Sequence, residues 1–227
     1  MADDDASAAA RYVAIIMDGN ARWATQRDLP VLEGHREGAQ ALKRTVKDAV
    51  RHDIKELTVY AFSTENWARP ADEVNGLMAM FAELIRSETP ELKEEGVRMV
   101  FIGRREQLSD ELKQQMEWAT DETADRTRMT LYVAFNYGGR AELLDAAKQF
   151  DGETEEEFAA LLYAPEMTDP DLVIRTSGEH RLSNYLLWQT AYSELHFTDV
   201  LWPDFGEDDL VAALTEYETR GRRFGAR

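Results

Sequence analysis

The chain has 227 residues and carries 44 acidic against 26 basic side chains, so its formal charge is −18. That charge excludes a general nucleic-acid binder, because affinity for the phosphate backbone comes from a basic surface. A hydrophobic content of 44% is typical of a globular protein. The absence of cysteine excludes disulfides and thiolate metal sites, and it fits a reducing compartment such as the cytoplasm.

The first ten residues show no structural pattern. They are acidic at Asp3, Asp4 and Asp5, where a signal peptide would be basic. No later segment approaches the ~18–20 apolar residues that cross a bilayer. We therefore expect residues 1–10 to form a disordered acidic leader and residues 11–227 to form one domain without a membrane span.

Short apolar runs, typical of buried strands, alternate along the chain with apolar residues at helical spacing. In chain order the pattern predicts strands at 13–17, 57–62, 97–102, 129–135, 172–174 and 195–197. It predicts helices at 33–52, 71–89, 109–123, 142–150, 154–163 and 207–222, and the second of these ends at Pro90. Strand–helix alternation predicts a single α/β domain with a mostly parallel central sheet and helices on both faces.

Polar loops follow four of the predicted strands, at 18–23, 63–70, 136–140 and 175–184. Open α/β sheets bind their ligands at the carboxyl ends of the strands, so these loops predict the active site. Each loop contains arginine, and three contain glycine. Arginine binds phosphate oxygens through two parallel N–H groups, and a lone carboxylate such as Asp18 suits Mg²⁺ held together with substrate phosphates. The loops therefore indicate a phosphorylated ligand, although the same arginines could pair with surface acids.

Other phosphate and hydrolase motifs are absent. The chain has no G-x-G-x-x-G after a strand, no P-loop, no G-x-S-x-G elbow and no H-E-x-x-H pair. Dinucleotide binding, P-loop chemistry, an α/β-hydrolase and a zinc site are therefore not predicted.

The loops at 18–23 (DGNARW), 63–70 (STENWARP) and 136–140 (NYGGR), the Gly34-His35 pair and the tract 171–205 together resemble the cis-prenyltransferase family, whose best-known member is undecaprenyl diphosphate synthase. The resemblance extends over 13–225. It implies a Mg²⁺-dependent homodimer that condenses isopentenyl diphosphate onto an allylic diphosphate such as farnesyl diphosphate to make a Z-polyprenyl diphosphate. It also implies a cytoplasmic protein that binds no nucleic acid and contacts membranes only peripherally, for product release.

The resemblance assigns two catalytic residues. Asp18 binds Mg²⁺ and helps the allylic diphosphate to leave, and Asn66 accepts the proton, a step that a phosphate oxygen or a water relay could serve equally well. Glu194 is implied as a second metal ligand. The terminal stretch 223–225 is similar to a motif that reaches the partner subunit's site. The substrate-binding residues that the resemblance implies are Gly19, Asn20, Ala21, Arg22, Trp23, His35, Ser63, Thr64, Glu65, Trp67, Arg69, Arg175, Arg181, Leu182 and Ser183.

The sequence departs from the family pattern in three places. Ala21 replaces a common glycine, which is tolerable unless φ is positive there. Val31 stands where an arginine commonly precedes the Gly-His pair, with Arg27 four residues earlier, so a diphosphate contact is lost or supplied by another side chain. The segment 140–172 is shorter than usual, which leaves less helix on one face of the sheet.

Product length is not fixed by the motifs. The helix at 71–89 offers an apolar tunnel wall, and small Ala61 matches a position where bulky residues accompany short products, which favours a long chain. Tyr132 and Phe135 are three residues apart on a strand, so at most one of them can face the tunnel. The alternatives are a short-chain synthase, a non-catalytic partner subunit and an unrelated phosphate-binding domain. Non-catalytic subunits typically lack the Asp and Arg of the first loop, which Asp18 and Arg22 supply here.

Overall fold

The computed structural model describes residues 9–220. Its strands are β1 (Tyr12–Ile16), β2 (Glu56–Ser63), β3 (Val97–Ile102), β4 (Met129–Tyr137), β5 (Leu172–Arg175) and β6 (Glu194–Phe197). Its α-helices are α1 (Asn20–Thr25), α2 (Val31–Arg51), α3 (Ala71–Glu94), α4 (Asp110–Thr123), α5 (Gly139–Ala147), α6 (Glu155–Ala159) and α7 (Glu207–Thr219). None of the described helices is long and apolar enough to cross a membrane.

The strands form one sheet in the order β3-β4-β2-β1-β5-β6, and all neighbouring strands are parallel. This confirms the predicted α/β class. The chain moves from β1 to β2 on one side and later places β5 on the other side of β1. The carboxyl ends of β1 and β5 therefore flank the topological switch point, where open α/β sheets bind ligands. The pairing of Ile16 with Arg175 brings the two following loops side by side.

The strand side chains alternate between two apolar layers. Val13 and Ile15 of β1 pack in a large cluster with residues of α2, α3, α4 and α7, whereas Ala14 and Ile16 pack in a smaller one on the opposite face. That smaller cluster is completed by residues outside regular helices, such as Met167 and Tyr185. The second face thus carries less helix than the first.

Helix α3 continues through Pro90 to Glu94, so the predicted end at residue 89 is wrong. An interior proline costs about 3 kcal/mol, because it removes a backbone N–H and crowds the preceding turn. Burial of Leu92 offsets about 1.5–3 kcal/mol of that cost. The hydroxyl of Thr89 donates to the Ile85 carbonyl at 2.5 Å and supports the turn before the proline.

Other boundaries also differ from the predicted ones. The pattern missed α1, a six-residue helix too short to show a period. The helix predicted at 154–163 is only the five-residue α6, which begins with a capping box formed by Thr154 and Glu157. Ala10, assigned to the leader, is 4% exposed and packs in the core. Three predicted features lie outside the described residues: leader residues 1–8, the end of the last helix at 222 and the stretch 223–225.

Two bulges disturb the pairing of β2 with β4 near the carboxyl edge. Tyr60 pairs with Ala134 and Phe62 with Phe135, so Ala61 is the extra residue on β2. Ser63 then pairs with Tyr137, which makes Asn136 the extra residue on β4. Bulges redirect side chains, and here they lie beside the polar loops.

Candidate active site

A cavity of about 880 Å³ lies between the sheet and helices α2 and α3. At the carboxyl edge its wall is polar and includes Asp18, Arg22, Arg69, Arg175 and Arg181. Further in, the wall is mostly apolar and includes Leu77, Met80, Phe81, Leu84, Ile85, Leu92, Met99, Phe101, Leu131, Val133 and Phe135. The volume is near the upper end of the ~300–1,000 Å³ typical of ligand pockets. The cavity can therefore accept a ligand with an anionic head and a long apolar tail.

Most of the sequence-predicted site residues meet at this cavity. Those that line it are Asp18, Gly19, Asn20, Ala21, Arg22, His35, Ser63, Glu65, Asn66, Arg69, Arg175, Arg181 and Ser183. Those placed outside its lining are Trp23, Thr64, Trp67, Leu182 and Glu194.

Asp18 and Arg175 form an ion pair at the ends of β1 and β5. Arg175 Nη2 donates to Asp18 Oδ2 at 2.7 Å, with 4% of the Arg175 side chain and 35% of the Asp18 side chain exposed. Arg175 Nη1 also donates to Ser183 Oγ at 2.7 Å and to the Arg181 carbonyl. The buried guanidinium thus joins the first loop to the last, and its Nε has no hydrogen-bond partner among the described residues.

Thr176 was missed by the sequence analysis as an organiser of this pair. Its hydroxyl accepts from the Asp18 backbone N–H at 2.9 Å and lies 2.7 Å from the Asp18 carbonyl. Its side chain is fully buried. The signal available in the sequence was a polar residue directly after β5, within a loop already selected.

Arg22 and Arg181 share the carboxylate of Glu179. Glu179 accepts from Arg22 Nη2 at 3.4 Å and also binds Arg181. Arg22 Nη1 further donates to the Ser177 carbonyl at 2.9 Å. Both arginines are about half exposed, so an incoming anion can compete for them with Glu179.

Helix α1 packs unusually close to α2 because of two glycines. A Cβ on Gly34 would lie 2.1 Å from the Asn20 carbonyl, and one on Gly38 would lie 2.2 Å from Asn20 Oδ1. The turn into α1 depends on Gly19, whose φ of 108° is unfavourable for other residues. Ala21 lies inside the helix, so the alanine that departs from the family pattern is accommodated.

Trp23 and Arg27 turn away from the cavity towards Asp204. The indole of Trp23 donates to Asp204 Oδ1 at 2.7 Å, and the Arg27 guanidinium lies 4.2 Å from the centre of the Trp23 ring. Arg27 also pairs with Asp204. It therefore does not stand in for the arginine that Val31 replaces.

His35 and Arg69 face each other across the mouth. The pKa of His35 is lowered to about 4, mainly by burial and also by the Arg69 charge, against an opposing effect of Glu73. Nε2 of His35 is buried without a hydrogen-bond partner among the described residues. Arg69 itself pairs with Glu73 at 2.9 Å. The site thus presents a neutral imidazole and a paired guanidinium.

The loop after β2 forms a short 3-10 helix at Thr64–Ala68, fixed by side-chain bonds. Asn66 Oδ1 accepts the Ser63 backbone N–H at 3.0 Å, so the amide braces the turn. Thr64 binds Glu65, which also accepts from Asn184 at 2.8 Å. Burial alone would raise the pKa of Glu65, but its hydrogen bonds, that from Asn184 foremost, outweigh burial and lower the pKa.

Asn136 is a second organiser that sequence reasoning left without a role. It has a φ of 50° at its bulge and is 3% exposed. Its Oδ1 accepts from the Trp67 indole at 2.8 Å, and its Nδ2 donates to the carbonyls of Arg104 and Glu106. Trp67 is therefore held as a support behind the loop.

Glu194 does not approach Asp18 within one chain. It begins β6 and pairs with Leu172 at the start of β5, whereas Asp18 follows the end of β1. Its carboxylate binds Arg220 at 2.9 Å. The described residues contain no group of three or more His, Cys, Asp or Glu side chains placed to hold a metal.

A single carboxylate at the mouth still suits one kind of metal. Asp18 lines the cavity beside arginines that can hold diphosphate. Mg²⁺ is commonly held by one or two carboxylates plus substrate phosphates, so this donor set fits Mg²⁺ carried with the substrate rather than a closed protein site.

Phe135 lines the cavity, whereas Tyr132 packs in the cluster on the opposite face. This confirms that only one of the two faces inward. Phe135 lies 4.8 Å from Phe81 and 5.5 Å from Phe62, centre to centre. Ala61, the bulged residue, also lines the cavity.

Residues 16–225 match a family model described as "Putative undecaprenyl diphosphate synthase". The chain is 49% identical to an isoprenyl transferase of Thermotoga maritima over 224 residues, which covers 95% of this chain and 96% of the relative. It is 50% identical to an isoprenyl transferase of Listeria monocytogenes over 226 residues, or 95% and 90% of the two chains.

Two solved structures are similar to the fold. One is lavandulyl diphosphate synthase from Lavandula x intermedia in complex with dimethylallyl diphosphate, with a TM-score of 0.91 and 34% identity over 96% of this chain and 98% of that one. The other is a "probable undecaprenyl diphosphate synthase" from Campylobacter jejuni, with a TM-score of 0.82 and 27% identity over 95% and 98%.

Proposed function

The chain belongs to the undecaprenyl diphosphate synthase family of isoprenyl transferases, and from that premise we propose that it condenses isopentenyl diphosphate onto an allylic diphosphate such as farnesyl diphosphate, with Z double bonds in the product. The observation that carries the proposal is the continuous cavity with arginines at its mouth and an apolar interior. It matches a substrate with a diphosphate head and a hydrocarbon tail.

The allylic diphosphate binds at the first loop. Arg22, Asn20 and the start of α1 surround its head, with Arg69 and His35 across the mouth. Arg22 presents a guanidinium fork that suits two phosphate oxygens. Because His35 is neutral near pH 7, it contributes a hydrogen bond and not a charge.

Isopentenyl diphosphate binds between Arg175, Arg181 and Ser183. Arg175 already contacts the Ser183 hydroxyl and the Arg181 carbonyl, so the three groups are arranged together before a ligand arrives. An incoming diphosphate takes over the exposed Arg181 from Glu179.

The arginines contribute most when the allylic C–O bond breaks. Negative charge then grows on the leaving diphosphate, and fixed guanidinium groups stabilise it more in the transition state than in the ground state. Asp18 would hold Mg²⁺ here, and bound Mg²⁺ supplies further positive charge to the leaving diphosphate. If Asp18 Oδ2 is to hold the metal, Arg175 would first have to release that oxygen.

Removal of the final proton is the step for which this chain offers only a weak base. Asn66 is the candidate acceptor, yet its Oδ1 is engaged by the Ser63 N–H. A neutral amide is far less basic than a phosphate oxygen. We assign the proton to a diphosphate oxygen and give Asn66 the role of holding the loop that presents it.

A long product is supported by the cavity volume and by the small side chain of Ala61 in its wall. A short product is the second candidate, favoured by Phe135 and its ring contacts with Phe62 and Phe81 inside the cavity. The presence of Asp18 and Arg22 speaks against a non-catalytic partner subunit.

A homodimer in the cytoplasm, with peripheral membrane contact during product release, completes the proposal. Leu144 of α5 is 54% exposed and Tyr192 is 77% exposed. A subunit contact would cover such side chains if they lie in one contiguous patch. Sedimentation analysis would show a dimer of the chain if this assignment is right and a monomer if it is not.

The activity is tested with radiolabelled isopentenyl diphosphate, farnesyl diphosphate and Mg²⁺, comparing wild type with Asp18→Ala. Label should enter extractable prenyl products with wild type. Loss of the carboxylate should lower turnover by roughly a thousandfold, the equivalent of several kcal/mol of transition-state stabilisation. The circular-dichroism spectrum should stay unchanged. Activity above a tenth of wild type in the variant would refute the role of Asp18.

A further inference from the structure

Two charged residues interrupt the apolar stripes that helices α2 and α3 present to the cavity. The α2 stripe contains Ala39, Leu42, Lys43 and Val46, and the α3 stripe contains Leu77, Met80, Phe81, Leu84, Ile85, Glu88 and Leu92. Steps of three and four residues are the spacing of one helical face. Lys43 and Glu88 therefore occupy positions at which the helical spacing predicts apolar side chains. We refer to them as the deep ion pair.

The deep ion pair lies far from the diphosphate-binding mouth. Helix α2 starts at the carboxyl edge and leads down to β2, so Lys43 is about 12 Å beyond His35 at ~1.5 Å per residue. The cavity residues Met99 and Leu131 pair with each other near the starts of β3 and β4. Both charged residues thus lie towards the end of the cavity that is opposite the mouth.

The two charges join α2 to α3 across the outer wall. Lys43 Nζ lies 2.8 Å from Glu88 Oε2 and 2.6 Å from Glu91 Oε2. Hydrogen bonds to Glu88 and Glu91 raise the pKa of the Lys43 ammonium, so it remains charged. The side chains of Lys43 and Glu88 are 30% and 25% exposed, and they therefore keep water at this end of an otherwise apolar wall.

We propose that the deep ion pair sets the length of hydrocarbon chain that the cavity accepts, an inference that rests on the proposed prenyl transfer. An apolar chain gains affinity for each methylene that it buries against Leu42, Leu84 or Ile85. Once its end reaches the deep ion pair, a further methylene must displace water from two charges, which removes the gain.

The chain offers a matched control one helical turn further on. Lys47 Nζ pairs with Glu91 Oε1 at 2.5 Å between the same two helices, and neither residue lines the cavity. Lys43→Met with Glu88→Leu removes the deep ion pair. Lys47→Met removes the neighbouring lysine charge outside the cavity and leaves Glu91, which also binds Lys43, in place. Lys43→Arg keeps the charge in place.

The binding test uses saturated alkyl monophosphates of increasing length, measured by calorimetry without isopentenyl diphosphate. For wild type, Kd should fall roughly fourfold per methylene and then stop falling at a defined length. The Lys43→Met/Glu88→Leu protein should continue to gain affinity with longer chains, whereas the Lys47→Met and Lys43→Arg proteins should stop gaining affinity at the same length as wild type. Unfolding midpoints establish that each variant is folded.

The proposal is wrong if Kd stops falling at the same chain length in the Lys43→Met/Glu88→Leu protein as in wild type. It is also wrong if the control protein changes that length equally. Failure of alkyl phosphates to bind at all would overturn it too. Product chromatography adds a second readout, in which the double variant should shift towards longer prenyl chains. If wild type forms no prenyl product, the proposed function fails, while the alkyl phosphate series still reports on the deep ion pair.

Discussion

Arg175 and Arg181 belong to the same proposed clamp but differ in their surroundings. The Arg175 side chain is 4% exposed and holds Asp18 and Ser183, whereas the Arg181 side chain is 59% exposed and contacts Glu179. A substitution at Arg181 should therefore report on ligand binding alone. A substitution at Arg175 should also disturb the protein that surrounds it, because a buried charge partner is lost.

Arg181→Lys should raise KM for isopentenyl diphosphate roughly tenfold and leave KM for the allylic substrate nearly unchanged, because a point charge cannot replace a charge-assisted fork. The unfolding temperature should stay at the wild-type value. Arg175→Lys should raise the same KM and lower the unfolding temperature. Steady-state kinetics and thermal melts measure both effects, and equal changes for the two substrates would contradict the division of sites.

His35 gives a pH-dependent contribution with a definite sign. Its folded pKa of about 4 lies below the ordinary histidine value of 6.5, mainly through burial. Between those values the unfolded chain binds the proton first, so stability falls as pH falls from 6.5 towards 4 and is unaffected above. His35→Gln should remove on the order of 2 kcal/mol of this loss. Urea melts from pH 7 to 4 measure it, and identical pH profiles for both proteins would show that His35 titrates normally.

The elements around the cavity show which structural features can be predicted from local sequence patterns. The apolar period of α3 identified the tunnel wall, since helical spacing is a local property. The continuation past Pro90 could not be predicted, because it depends on the burial of Leu92 by neighbouring elements. The inward placement of Ala61 was implied by the resemblance and could not be predicted from strand alternation, because the bulge in β2 breaks that alternation.

Ala61→Leu should shorten the prenyl product by filling cavity space beside the bulge while the first condensation proceeds. The matched control is Ala82→Leu on α3, an equal enlargement at a residue that packs against the core but does not line the cavity. Chromatography of dephosphorylated products gives the length distribution of each protein. If Ala61→Leu and wild type give the same distribution, Ala61 does not limit the growing chain.

For the whole molecule, strand–helix alternation was enough to predict the parallel sheet and the edge where its loops meet. It also brought together most of the site, because residues that directly follow parallel strands share one edge. It could not predict the contacts that fix those residues, such as Asn136 holding Trp67 or Arg175 holding Asp18. These bonds join segments far apart in sequence, and residue types alone do not specify their partners.

We expect this chain to elongate an allylic diphosphate with Z stereochemistry. The most direct measurement is nuclear magnetic resonance of the dephosphorylated product formed from farnesyl diphosphate and ¹³C-labelled isopentenyl diphosphate with Mg²⁺. We predict that every labelled unit carries a Z double bond and that Asp18→Ala yields no labelled product. Labelled units with E double bonds, or no elongation by the wild-type protein, would contradict the account.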